Sequence, residues 1–487
     1  MTGGGYVQQA AFDEREIQAV IARVRSRLGG HAEAPPAAAG EAGRKRGCGI
    51  HATVDGAVDA ARTAFEAFRG MGLGARRRIV DAVRQAMRSH AAELARLAHE
   101  ETGLGRAADK ELKNLLVTDK TPGPEDLEPT VWSGDRGLTV VEYAPFGVIG
   151  AITPSTNPTA TIINNSIAAI SAGNAVVFNP HPSAKGVSAQ NVRWINEAVV
   201  AAGGPADLVT ATPEPTIAGA QRLMNHPRVR ILMVTGGPGV VEEARKSRKR
   251  AILAGPGNPP VVVDATADLE LAGREIVRGA SFDNNVICTD EKVVFVVASV
   301  ADRLLEHMTG AGSRVLAPHE LKRLEPVIFA ERGEPGRAGR INGRWIGKNA
   351  GTILAEIGVR EGPELRLAVA DVPAEHPLVW TEQMMPVLPV VRVRDVDQAI
   401  ELAVRAEHGC GHTASIYSRD VDAITRMARA IDVSIFVANA ANLAGLGDGG
   451  EGYTSFSIAS PTGEGLTRPR TFSRERRMTV AGGLRIV

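Results

Sequence analysis

From Leu138 onward the chain alternates short apolar runs with helix-length stretches, and this alternation limits the fold more than any other feature. The runs are LTVVEYAPFGVIGAITP (138–154), AVVFNP (175–180), ILMVTGG (231–237), PVVVD (260–264), EKVVFVV (291–297) and PVLPVVRV (386–393). Continuous apolar runs of this length are strands buried on both faces, the condition found in parallel sheets covered by crossover helices. The expected fold class is therefore α/β, built from βαβ units. At roughly 150 residues per domain, 487 residues leave room for two or three domains.

Before the strands, Thr53 is placed to cap a helix through about Arg69, with Val54, Val58, Ala61, Phe65 and Phe68 on one face. A second helical stretch is expected from about Arg76 to His99. The tail, TFSRERRMTVAGGLRIV, reads as a terminal strand pair able to join a neighbouring subunit, as exposed edges do. Near the N-terminus, FDEREIQAVIARVRSRL (12–28) repeats Ile17, Val20, Ile21, Val24 and Leu28 at helical spacing. Residues 29–47 that follow are rich in Ala, Pro and Gly, which is linker composition. An amphipathic helix on a tether buries its stripe against a partner in helix-in-groove fashion; docking on its own domain is the other reading.

Composition narrows the function. Lys+Arg 56 against Asp+Glu 55 leaves a formal charge of +1, with no bulk reason to bind nucleic acid or an anionic membrane. Three cysteines, Cys48, Cys288 and Cys410, form neither a disulfide framework nor a C-x-x-C metal pair, which fits a reducing cytoplasm. The chain has no apolar run long enough to span a membrane, and no secretory signal is read at its N-terminus.

Five segments carry candidate chemistry. In VTGGPG, Thr235, Gly236 and Gly237 join a strand to a helix N-terminus, a place that attracts phosphate, although ordinary glycine-rich turns look the same. In VVFNPHPSAKG, Asn179 and His181 lie beyond a strand's carboxyl end, where open α/β sheets bind ligands. AITPSTNPT packs Thr153, Pro154, Ser155, Thr156 and Asn157 into a rigid, donor-rich loop that could stabilise an oxyanion. GASFDNNVICTDEK presents Cys288, a nucleophile if a neighbouring group activates it, and His412 in GCGHTASIYS is a candidate for that task.

Taken in order, PFGVIGAITPSTNPT, VVFNPHPSAKG, VTGGPG, AGPGNPPVVVDATADL, FDNNVIC and TEQMMPVLPVV resemble the CoA-acylating aldehyde dehydrogenases, in particular the propionaldehyde and acetaldehyde dehydrogenases of bacterial microcompartments. The resemblance runs from about Gly47 to Val487. It implies an aldehyde dehydrogenase-like fold: a Rossmann-type nucleotide-binding domain, an α/β catalytic domain and a small oligomerisation strand region. The implied boundaries are a targeting helix at 1–28, a linker at 29–47, a nucleotide domain at 48–250 with oligomerisation strands at 131–145, a catalytic domain at 251–432, and a return with terminal strands at 433–487. It also implies a homodimer or homotetramer.

The implied reaction adds Cys288 to a short aldehyde, passes hydride to NAD, and delivers the acyl group to coenzyme A. Glu382 in TEQMMP matches a glutamate that holds the nicotinamide ribose, and His412 a histidine near the thiol. Gly255 belongs to the A-G-P-G-N segment, where hydrolytic relatives carry E-L-G-G-K. The water-activating glutamate of those relatives falls on Ala254, so the thioester should persist for CoA. A hydrolytic enzyme, or a silent relative kept as scaffold cargo, is the alternative. The oxyanion amide of hydrolytic relatives falls on Thr156, one position before Asn157, so either residue could line that site. Asn179 and Pro182 replace residues that distinguish NAD from NADP, and family habit favours NAD. The helix and linker are similar to the encapsulation peptides of such enzymes, placing the protein in the cytoplasm within a microcompartment, in contact with shell or other cargo.

Overall fold

The computed structural model describes residues 48–487, which form one compact unit. The helix expected at 12–28 and the linker at 29–47 lie outside the described residues.

Two parallel sheets organise the chain, as the apolar runs require. The first has five strands in the order Val209–Ala211, Ala175–Pro180, Val148–Thr153, Val229–Thr235 and Arg250–Ala254. All its neighbours are parallel. The chain builds outward from Val148–Thr153 to one edge, then returns to build the other side. Strand order thus reverses between Val148–Thr153 and Val229–Thr235, the crevice at which Rossmann-type sheets bind ligands. Helices Val54–Phe68, Pro158–Ser171, Lys185–Ala201 and Ile217–Asn225 pack against this sheet. The side chain of Thr53 caps the first of them by accepting from the Gly56 N–H.

The second sheet has seven parallel strands, in the order Ser313–Val315, Leu367–Asp371, Val387–Val393, Val293–Val297, Pro260–Val263, Thr413–Tyr417 and Ile435–Ala438. Each sheet anchors its own core of small aliphatic side chains. Ile435–Ala438 still belongs to the second sheet, beyond residue 432, while Leu443, Leu446, Phe456 and Phe472 pack into the first core.

Three elements differ from the sequence reading. The stretch from Arg76 to His99 is two helices, Leu73–Ser89 and Ala91–Thr102, separated at His90, whose ring stacks on Trp194 with centroids 3.8 Å apart. A further helix, Ala107–Lys120, precedes the hairpin. The tail is one strand, Ser473–Ala481, because Gly482 turns the chain at φ +71° and no second strand follows. That strand pairs antiparallel within the same chain with Gly137–Pro145, which also pairs with Thr130–Gly134. This small sheet leaves Val131, Trp132 and Met478 more than half exposed.

Candidate active site

At the carboxyl ends of the first sheet's strands lies a cavity of ≈ 510 Å³, a volume typical of small-ligand sites. Thr153, Pro154 and Asn157 enter it from the loop after Val148–Thr153; Asn179 and His181 from the end of Ala175–Pro180; Thr235, Gly236 and Gly237 from the turn before helix Pro238–Lys246; Gly255 from the end of Arg250–Ala254. From beyond the first sheet come Cys288 and Glu382. The topology thus gathers, around one hollow, residues spread over more than two hundred positions of chain. His412 is not among the lining residues.

The site's polar atoms suit a hydroxyl-rich ligand. Thr153 Oγ1 and Asn179 Oδ1 are buried at adjacent strand ends without a hydrogen-bond partner among the described residues, and both residues line the cavity. The turn at Gly236–Gly237 opens on the N-terminus of helix Pro238–Lys246, whose unpaired N–H groups favour anionic groups. These features fit a dinucleotide in the switch-point crevice.

Cys288 follows a turn in which Asp283, Asn284 and Asn285 all take left-handed backbone angles, φ +45°, +56° and +64°. Asp and Asn tolerate that region better than most residues, but three in a row need external support. The support is a set of buried hydrogen bonds. Lys292 donates to Asn285 O at 2.7 Å, Asn285 Oδ1 at 2.6 Å and Ile287 O at 3.1 Å. Asp283 Oδ1 accepts from the Arg106 N–H at 2.7 Å, and its Oδ2 accepts from Lys110 Nζ at 2.9 Å and from Lys113 Nζ. Asn284 Oδ1 accepts from Arg106 Nε at 2.8 Å.

The Cys288 thiol is pushed up to about 12, first by burial, then by the negative charge of Glu382, against the pull of the Lys292 ammonium. Burial likewise raises the Glu382 carboxyl above the usual range. His412, outside the lining residues, packs beside Gly257 and the Cys288 backbone: a Cβ on Gly257 would lie 3.0 Å from both Cys288 O and His412 Cγ. Burial and Lys292 lower the His412 imidazole to about 4, and its Nε2 has no partner among the described residues.

Asn157 begins helix Pro158–Ser171, yet its side chain makes no capping bond. Lys113 Nζ donates to Asn157 Oδ1 at 2.6 Å. An ammonium only donates, so the amide's oxygen must face Lys113 and its NH2 must face away. Thr156 also lines the cavity, but its Oγ1 only accepts a 3.3 Å bond from that NH2. Of the two residues left open by the sequence, Asn157 has its amide held by Lys113, with its NH2 donating to Thr156 Oγ1.

The aldehyde dehydrogenase family model matches residues 36–456. The acetylating acetaldehyde dehydrogenase of Salmonella typhimurium is 51% identical over 440 residues, 90% of this chain and 94% of that one. This chain belongs to the CoA-acylating aldehyde dehydrogenases. Among solved members of the family, the Rhodopseudomonas palustris propionaldehyde dehydrogenase, with bound CoA and an acylated cysteine, is 44% identical with a TM-score of 0.87, covering 90% of this chain and 100% of that one. The propionaldehyde dehydrogenase from the Clostridium phytofermentans fucose utilisation bacterial microcompartment is 43% identical, also with a TM-score of 0.87, over 90% and 100% of the two chains.

For an acylating dehydrogenase the carboxylates of the site matter most. Glu382 is the one carboxylate among the lining residues. Ala254, where hydrolytic relatives have their water-activating glutamate, is buried in the first core, and the wall begins at Gly255 and Pro256. Sequence reasoning missed Lys110, Lys113 and Lys292. A signal existed in Ala107–Lys120: Lys110, Lys113 and Val117 share one helical face, although lysines at that spacing ordinarily mark a solvated surface.

Proposed function

We propose that the protein oxidises a short aliphatic aldehyde, propionaldehyde or acetaldehyde, with NAD and transfers the acyl group to coenzyme A, giving acyl-CoA and NADH. The observation that carries this reading is the pairing of Cys288 with an oriented Asn157 amide in one cavity whose only lining carboxylate is Glu382. Cys288 sulfur bonds to the carbonyl carbon as its thiol proton passes to solvent and the C=O π bond breaks, leaving a thiohemiacetal oxyanion. The carbonyl oxygen gains negative charge, which the Asn157 NH2 and the Cys288 N–H receive. Bound NAD supplies the hydride acceptor, positioned through Glu382, Thr153, Pro154, Asn179, His181, Thr235, Gly236, Gly237 and Gly255. The thioester left on Cys288 outlasts water because Ala254 stands where hydrolytic relatives carry their water-activating glutamate and Glu382 is given to holding NAD, and the CoA thiol displaces the enzyme sulfur, its proton passing to solvent. His412, uncharged and packed beside Gly257 close to the Cys288 backbone, acts on the loop of Cys288.

The stripe Ile17, Val20, Ile21, Val24 and Leu28 docks on a microcompartment shell protein or another cargo enzyme. The exposed apolar face of the small antiparallel sheet joins homo-oligomers. The deciding experiment measures NADH, acyl-CoA and free acid from propionaldehyde, with and without CoA, on wild type and Cys288→Ala. Acyl-CoA formed only with CoA, and lost in the variant, is the expected result. Sustained CoA-independent conversion to free acid refutes the acyl-transfer reading.

A further inference from the structure

Helix Ala107–Lys120 is turned inside out. Its Lys110 and Lys113 are 1% and 2% exposed, while Leu112 is 56% exposed. A buried ammonium is costly unless paired and hydrogen-bonded, and residues that break the apolar-inside pattern concentrate at functional sites. Both lysines converge on Asp283, itself fully buried in the turn that leads to Cys288. Lys113 also holds the Asn157 amide oxygen at 2.6 Å, and Lys110 donates to Thr156 O at 3.3 Å. Two loops far apart in sequence, one with the nucleophile and one with the amide donor, are therefore joined through these ammonium groups.

We propose that Lys113 is a positioning residue for acyl transfer: it fixes the Asn157 amide with its NH2 toward the reacting oxygen and, through Asp283, ties that donor to the loop of Cys288. The proposal rests on the role given to Asn157 above. A rigid link of this kind matters because an oxyanion donor works only when preorganised, and a misplacement of about 1 Å can cost roughly 100-fold in rate. The ammonium also draws electron density from the amide oxygen, which strengthens the N–H as a donor.

The test is a double-mutant cycle on the full-length protein, read as kcat/KM for propionaldehyde at saturating NAD and CoA, with NAD affinity followed separately by fluorescence. Asn157→Ala is expected to lose about 100-fold or more. Lys113→Met should lose roughly 10- to 100-fold alone, yet less than about threefold in the Asn157→Ala background, with NAD affinity unchanged. Asp283 keeps Lys110 and the Arg106 N–H as partners in that variant, so its charge is not stranded. Lys113→Gln, which retains a donor for Asn157 Oδ1, should recover part of the loss, and it replaces the Met variant in the cycle should that variant fail to fold. Equal losses from the Lys113 change in both backgrounds, or full activity in Asn157→Ala, overturn the proposal. If wild type itself makes no acyl-CoA, the reading of the reaction has failed instead.

Discussion

The thiol of Cys288 offers the sharpest numerical test of the site. Burial and the charge of Glu382 push it up to about 12, against about 8.5 for a free cysteine. At pH 8 about one molecule in 10⁴ would hold a thiolate, compared with about one in four for a free thiol. Alkylation by iodoacetamide requires the thiolate, so Cys288 in the enzyme without NAD should react roughly 10³-fold more slowly than glutathione at that pH. The sign of the pH dependence follows: titration lies above the accessible range, so the rate climbs about tenfold per pH unit from 7 to 10 without levelling. Glu382→Gln removes the charge that opposes ionisation and should speed alkylation at pH 8, each unit of lowering giving about tenfold. Modification must be followed by peptide mass spectrometry, because Cys48 and Cys410 are also free thiols. A plateau below pH 9, a rate like that of glutathione, or slower alkylation in Glu382→Gln would refute this account of the nucleophile.

Three further outcomes are expected. Gly257→Ala puts a methyl 3.0 Å from Cys288 O and His412 Cγ; steady-state assays should show kcat falling by at least about tenfold, while calorimetry shows a melting temperature within a few degrees of wild type. His412, lowered to about 4 by burial and Lys292, takes up its proton less readily folded than unfolded. Its contribution to stability is therefore whole above about pH 6.5 and lost by roughly 3 kcal/mol as pH falls to 4, a slope that denaturant titrations should find absent in His412→Gln. Deleting residues 1–30 should leave turnover intact and abolish co-localisation with shell proteins; equal co-localisation of the truncated protein removes the targeting role assigned to that helix.

Much of this was legible in the residues alone, where local rules hold. Strands buried on both faces announce themselves as apolar runs, so AVVFNP coincides with Ala175–Pro180 and PVVV with Pro260–Val263. The cavity's glycine turn, Asn179 and Cys288 were found because each sits at a strand end or in a distinctive short motif. The helix Ala107–Lys120 escaped because its pattern points the wrong way: Leu112 faces outward while Lys110 and Lys113 face inward. His412 was assigned near the thiol, and only the packing shows it beside Gly257 and the Cys288 backbone, outside the residues that line the cavity.

The sequence by itself determined the parallel α/β class and the family, and it singled out Cys288 as the proposed nucleophile, since these depend on apolar period and contiguous motifs that fold locally. Tertiary structure alone decided which of Thr156 and Asn157 presents an oriented donor, and which cations support the Cys288 turn. Those outcomes depend on Lys113 meeting Asn157 and Asp283 from another helix. An ammonium's preference for oxygen is general, but which oxygens it meets is set only when distant segments pack together.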